Sequence, residues 1–247
     1  MKFLSWFNRN NSVSTKPLLN VDIHSHLLPG IDDGAQSLDE SLRLIRGLCD
    51  LGYKKIITTP HVMLGTYNNT PEIIYNGLQK IREAIKSSGI QVEVEAAAEY
   101  YFDDHFIKQI SDQKLLLFSD KYVLFELPVM FKPPQLEDVI FEITTRNLIP
   151  VLAHPERYLY MHTKGLDVYE KLKNRGVLLQ LNLLSPIGYY SKPIQNVSKQ
   201  LIKYGWIDLL GSDMHNEKHL HFSKRALEDK HIIELLNQPQ LLNNKLI

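Results

Sequence analysis

From residue 18 to residue 211 the chain alternates short apolar segments with longer amphipathic ones, a pattern that few architectures can absorb. The apolar segments 18–23, 54–58, 91–98, 122–126, 149–153, 177–182 and 207–211 have the length and bounding turn residues of buried strands. Between them lie helical patterns at 38–51, 71–87, 135–147, 166–175 and 193–204, a shorter piece at 103–110, and a helical tail at 223–236. The first helix repeats Leu38, Leu42, Ile45 and Leu48 on one face, and the second opens with Pro71 and exits near Gly89. Strands joined through helices must run parallel, because a crossover returns each strand to the same end of the sheet. Seven such units predict an α/β fold, a distorted seven-stranded (β/α) barrel. The chain of 247 residues suits one such domain, placed at 18–247, with 1–17 as an N-terminal extension. Phe3, Leu4, Trp6 and Phe7 cluster in that extension, a run too short for a secretory core and followed by the linker-like stretch 8–16.

What the strand ends carry narrows the chemistry. The first strand leads into Asp22-Ile23-His24-Ser25-His26, the second into Thr59-Pro60-His61, and the third into Ala98-Glu99. Phe125-Glu126 ends the fourth, Ala153-His154-Pro155-Glu156-Arg157 the fifth, and Gly211-Ser212-Asp213-Met214-His215 the seventh. Barrel enzymes assemble their sites at that rim. In extended chain, residues two apart share a side, so His24 and His26 can face one ion, as can Asp213 and His215. Glu99 and Glu126 each follow an apolar strand, where an unpaired carboxylate is costly and needs a metal or an arginine. Asp22 faces the same side as His24 and serves either to support the ligands or to hold a backbone or arginine group. His105, His162, His219 and His221 lie in polar or helical contexts and read as surface residues.

Imidazoles and carboxylates without thiolate favour manganese, iron or zinc, and several carboxylates favour more than one ion. Such a centre suits hydrolysis of a phosphomonoester, with Arg157 placed to hold an anionic oxygen. Cys49, the single cysteine, sits in a helical pattern as a small packed residue and excludes an internal disulfide framework. Lys plus Arg equal Asp plus Glu at 28 each, so no broad basic field marks a nucleic-acid partner. No run approaches the ~18 apolar residues of a membrane span, and the expected location is cytoplasmic.

The long motif Asp22-Ile23-His24-Ser25-His26-Leu27-Leu28-Pro29-Gly30-Ile31-Asp32-Asp33-Gly34 and the five strand ends above resemble the PHP (polymerase and histidinol phosphatase) family. The likeness is greatest to its bacterial tyrosine-protein phosphatase branch, which acts alongside capsule and exopolysaccharide tyrosine kinases. It implies three divalent ions, commonly manganese, in a barrel of the PHP type. By that resemblance His24, His26, Glu99 and Asp213 bind one ion, and Glu99, Glu126 and His154 a second. Asp33, His61 and His215 bind the third, Asp33 being preferred to Asp32 by its place in the motif. Arg157 corresponds to the arginine that binds phosphate, and Lys218 or His219 to a further basic residue; metal activation needs no separate side-chain base, with Asp213 or His215 able to shuttle a proton. The implied reaction is hydrolysis of protein phosphotyrosine by metal-activated hydroxide, on a tyrosine kinase of polysaccharide export. Two alternatives are a small-metabolite phosphatase, such as one for histidinol phosphate, and a weakly active metal-stabilised binding module. Tyr67, Tyr100, Tyr101, Tyr158, Tyr189 and Tyr190 are expected near the mouth, about half of them as ordinary packing.

Overall fold

A computed structural model describes residues 19–163 and 165–246, so the apolar cluster at the N-terminus and the whole of the extension lie outside the described residues. Among the described residues nine strands form, and every pairing between them is parallel. Strands β1 (Val21–Asp22), β2 (Lys55–Thr58) and β4 (Glu93–Ala96) make one sheet in the order β1-β2-β4. The second sheet runs β3-β5-β6-β7-β8-β9: β3 (His61–Val62), β5 (Glu99–Tyr101), β6 (Tyr122–Glu126), β7 (Ile149–Ala153), β8 (Leu178–Asn182) and β9 (Leu209–Gly211).

Nine strands in two sheets replace the expected count of seven, and the extra two, β3 and β5, lie just beyond the expected ends of the second and third strands. Between β2 and β3 the chain is interrupted at Thr59-Pro60, where Thr59 N donates to Ser25 O at 2.7 Å and Pro60, which has no N–H, can only accept. Ala97-Ala98, the expected end of the third strand, separates β4 from β5 in the same way, with Ala97 N donating to Thr58 O and Glu99 N to Pro60 O. Glu99 therefore lies within β5 rather than just beyond a strand end. The sheets curl toward each other where β9 ends beside the continuation of β1: Ser25 and Met214 form a parallel bridge, Asp213 N donates to His24 O at 2.8 Å, and His26 N to Met214 O at 2.9 Å.

Alternation along the strands divides the interior in two. Val21, Ile57, Leu124, Val151 and Leu209 point into a small inner core, while Ile56, Val94, Phe125, Leu152, Leu181 and Leu210 meet the helices. Burial on both faces explains why these strands read as continuous apolar runs. Helix α1 (Leu38–Asp50) starts at Ser37, whose side chain accepts from Glu40 N, and buries Leu44, Ile45 and Leu48. Each such side chain contributes ~1.5–3 kcal/mol of burial. Helix α2 (Pro71–Ser87) is capped by Thr70. Helices α3 (Asp104–Asp112), α4 (Leu136–Thr145), α5 (Leu159–His162), α6 (Asp167–Asn174) and α7 (Lys192–Lys203) follow. The expected single tail helix is two, α8 (Glu217–Leu227) and α9 (Lys230–Leu236), because Asp229 caps a second start by accepting from His231 N. No helix among the described residues is long and apolar enough to cross a membrane.

Candidate metal centre and active site

The C-terminal ends of the strands bring all nine expected ligand residues into four overlapping groups: His26, Asp33, His61 and His215; His24, His26 and Asp213; His24, Glu99 and His154; His61, Glu99 and Glu126. Within each group the ligand atoms lie within 4.8 Å of one another. Glu99, fully buried, is the hub: its Oε2 is 3.1 Å from His61 Nδ1, 3.2 Å from His24 Nε2 and 3.4 Å from His26 Nε2, and Oε1 is 3.0 Å from His154 Nε2. Glu126 Oε1 reaches His61 Nδ1 at 3.2 Å. Asp33 Oδ1 sits 3.5 Å from both His61 Nε2 and His215 Nε2.

Several contacts in the cluster do not make sense as hydrogen bonds alone. Despite three imidazole nitrogens nearby, Glu99 Oε2 has no hydrogen-bond partner, and His24 Nε2 faces His26 Nε2 at 3.3 Å. His154 Nδ1 is also buried without a partner. Ligand atoms sharing an ion at ~2.0–2.2 Å stand ~3–3.6 Å apart, so this crowding of lone pairs is what divalent cations require of N and O donors. The donor set fits the metal ions that the sequence implies.

Electrostatics point the same way. Burial alone would raise the Glu99 carboxyl, but His24, His61 and His154 hold it well below the usual range. Asp213 is held low against burial by His24, His215, His26 and Arg157. Burial would lower His24, yet Glu99 and Asp213 lift it to about 9, and His26 is likewise pushed well up, by Asp213, Asp32 and Glu99. Asp33 is lowered to about 2, chiefly by its hydrogen bond with His215. Two members of the cluster hold left-handed backbone although neither is glycine, His154 at φ 35° and Asp213 at φ 49°. Each such conformation costs ~1–3 kcal/mol and persists where the surroundings enforce it.

Arg157 reaches the cluster from the 3-10 turn Pro155–Arg157, donating from Nη1 to Asp213 Oδ2 at 3.0 Å with its guanidinium carbon 5.0 Å from the Tyr190 ring centroid. Both residues line an open cavity of about 450 Å³ with Tyr67, Tyr101, His154 and His219. Three of the expected mouth tyrosines thus reach it. Tyr100 and Tyr158 are buried packing instead, their hydroxyls near Leu116 N and Leu127 N, and Tyr189 packs edge-on against His219.

Other readings change in detail. His219 is not a plain surface residue: it is part-buried, lines the cavity, and its Nδ1 lies 3.0 Å from Asp213 O. Lys218 does not line the cavity and stands over the Tyr189 ring at 5.5 Å. Asp22 takes the backbone alternative, accepting from Ser212 N and Oγ at 2.8 and 2.7 Å, and burial pushes it up to about 6. Asp32 supports rather than joins the groups: its Oδ2 accepts from His26 Nδ1 at 2.8 Å and from His61 N at 3.1 Å. Sequence reasoning passed over Gln180, whose Oε1 is 2.7 Å from His24 Nδ1, and Asn182, whose Nδ2 donates to Asp213 Oδ2 at 2.6 Å. A signal existed, since two amides two residues apart share one face of an otherwise leucine-rich strand.

The model of a family described as capsular polysaccharide synthesis, CpsB/CapC, matches residues 20–228. Tyrosine-protein phosphatase YwqE of Bacillus subtilis (strain 168) is 29% identical over 203 residues, covering 82% of this chain and 80% of that protein. A putative tyrosine-protein phosphatase CapC of Staphylococcus aureus is 26% identical over 208 residues, covering 84% and 81%. Among solved structures, a chain from the crystal structures of YwqE from Bacillus subtilis and CpsB from Streptococcus pneumoniae, metal-dependent tyrosine phosphatases, superposes with a TM-score of 0.78 at 27% identity and 84% coverage of both chains.

Proposed function

The chain belongs to the CpsB/CapC family of capsular polysaccharide synthesis, and from this and the site's geometry we propose that it is a metal-dependent protein-tyrosine phosphatase. The observation that carries the reading is the convergence of nine imidazole and carboxylate side chains, six of which line one open cavity beside Arg157 while His24, His26 and Glu99 are buried beneath it. We assign three divalent ions, manganese first and iron or zinc as alternatives. His24, His26, Glu99 and Asp213 would hold one; Glu99, Glu126 and His154 a second; Asp33, His61 and His215 the third. When bound, such ions supply Lewis acidity toward the phosphoryl oxygens and the attacking water.

The chain's own residues do the rest. Arg157 spends one N–H on Asp213 and turns its remaining donors to the cavity, a planar fork suited to two phosphate oxygens. Stacking on Tyr190 holds the guanidinium in place before substrate arrives. Tyr67 and Tyr101 give the mouth aromatic walls that accept the phenyl ring of a phosphotyrosine. Neither of the two residues beyond β9 given a proton-moving role suits it once ions are held: the His215 Nε2 that faces Asp33 would be taken up as a ligand, and Asp213 is held ionised and takes a proton poorly, which leaves water to supply the proton. Cys49 lies in α1 with its thiol pushed up by burial, which leaves no part for a thiolate nucleophile.

The substrate in this reading is a phosphotyrosine-bearing protein, a tyrosine kinase of polysaccharide export, met in the cytoplasm. We also read β2 with β3, and β4 with β5, as one broken strand each, which makes the fold a distorted seven-stranded barrel of the PHP type. Residues 18–247 form its single domain and 1–17 an extension. The test is phosphate release by metal-stripped protein given manganese, with a phosphotyrosyl peptide, a phosphoseryl peptide and histidinol phosphate as substrates. Metal-restored turnover of the phosphotyrosyl peptide alone is expected. Preference for histidinol phosphate overturns the substrate class, and no turnover with metal bound makes the chain a binding module.

A further inference from the structure

Strand β8, Leu178 to Asn182, brings neither imidazole nor carboxylate to the cluster, yet Gln180 and Asn182 are fully buried beneath it. We propose that these two amides are positioning residues: Gln180 fixes the tautomer of His24, and Asn182 fixes which oxygen Asp213 presents to the cluster. The inference rests on the reading of the cluster as a metal centre and adds two residues to it.

Backbone groups set the direction of the amide chain. Gln180 Nε2 lies 2.7 Å from Leu181 O, which can only accept, and Oε1 lies 3.4 Å from His154 N, which can only donate. With the amide so oriented, His24 Nδ1 at 2.7 Å from Oε1 must carry a hydrogen. Once the ring is neutral, its lone pair is then on Nε2, the atom that faces Glu99 at 3.2 Å and Asp213 at 3.4 Å. The same Nε2 of Gln180 donates to Asn182 Oδ1 at 3.0 Å, which turns Asn182 Nδ2 outward. That group donates to Asp213 Oδ2 at 2.6 Å and to Tyr190 OH at 3.3 Å. Arg157 takes the same Oδ2, so two donors occupy it and Oδ1 is left to face His24, His26 and His215 at 3.4 to 3.5 Å. Gly211 makes room for the arrangement, since a Cβ there would lie 2.6 Å from His24 Cβ and 2.7 Å from Gln180 Nε2. Buried amides on an inward face cost free energy unless every group is paired, and here the pairing ends on two of the ligand residues.

Two readouts on the full chain test this: manganese affinity, from the resonance signal of free ion, and the His24 tautomer, from ¹⁵N spectra of histidine-labelled, metal-free protein at a pH where the ring is neutral. Gln180→Met matches the length without the acceptor and should weaken manganese about 10- to 100-fold, with loss of the Nδ1–H tautomer at His24. Gln180→Glu keeps the acceptor oxygen and should keep that tautomer. Asn182→Leu should weaken manganese by a similar factor and leave the His24 tautomer unmoved, which separates the two roles even if Gln180→Met does not fold. An unchanged tautomer in folded Gln180→Met overturns the assignment to Gln180. Manganese affinity within twofold of wild type in Asn182→Leu, or losses that only track melting temperature, overturns the assignment to Asn182. Failure of the unaltered protein to bind manganese would instead sink the metal-centre reading itself.

Discussion

Metal binding to this cluster must displace protons, and the size of that effect follows from His24. Its imidazole is lifted to about 9, against the pull of burial, by Glu99 and Asp213. At pH 7 such a ring is protonated about 99 times in 100, so freeing Nε2 for an ion costs ~3 kcal/mol, or about 100-fold in affinity, at 1.36 kcal/mol per pH unit. That penalty shrinks tenfold per pH unit and vanishes near pH 9. His26, also pushed well up, steepens the slope wherever both rings are charged. Calorimetric titration of stripped protein with manganese between pH 6.5 and 8.5, in two buffers of different ionisation enthalpy, measures both affinity and protons released. The expected result is a rise of about 100-fold across the range, with at least one proton released per first ion bound. An affinity that changes less than threefold, with no buffer dependence, refutes the linkage. Stability follows the opposite course in the metal-free chain. A raised imidazole favours folding at low pH: the His24 contribution is complete below its ordinary value of 6.5 and is lost as pH rises through about 9. Glu99 and Asp213, held low, act at the acid end, where their contribution disappears as pH falls below the ordinary carboxylate range.

Stripping the metals should lower the melting temperature at neutral pH, because an ion at 100 times its dissociation constant adds ~3 kcal/mol of stability; an unchanged melting curve would mean the folded state does not bind it. Arg157→Lys should lower kcat/KM toward a phosphotyrosyl peptide about 100-fold, since an ammonium cannot both hold Asp213 and fork onto phosphate. A loss below fivefold would make the guanidinium a structural ion pair. Gly211→Ala drives a Cβ into His24 and Gln180 and should cost ~1–3 kcal/mol by overpacking, read from denaturant unfolding, together with manganese affinity. If stability falls but affinity does not, Gly211 matters only to packing.

Much of the site was legible because a parallel barrel places chemistry where strands end, and strand ends can be read from apolar runs. His24, His26, His61, Glu126, His154, Asp213 and His215 were located by that rule, and the structure gathers them. What escaped depends on partners distant in sequence. The breaks at Thr59-Pro60 and Ala97-Ala98 fall opposite each other in two segments that stay hydrogen-bonded across the gap, and local composition does not record where a ladder between distant segments is interrupted. Gln180 and Asn182 drew no reading from the sequence, because their roles exist only once His24 and Asp213, more than twenty residues away, are beside them. Asp32 and Asp33 differ by a single position, and the turn to Gly34 decides which one faces His26 Nδ1 and which faces His215. Gly34 itself has no room for a side chain, as a Cβ would fall 2.1 Å from His26 O.

Crystals of the full chain grown with manganese, measured at the metal's absorption edge, test the central claim most directly. The account predicts anomalous peaks enclosed by the four overlapping groups of ligand residues, one of them between His24, His26 and Asp213. An anomalous map with no peak in that cluster, from protein that still releases phosphate from phosphotyrosine, would contradict it.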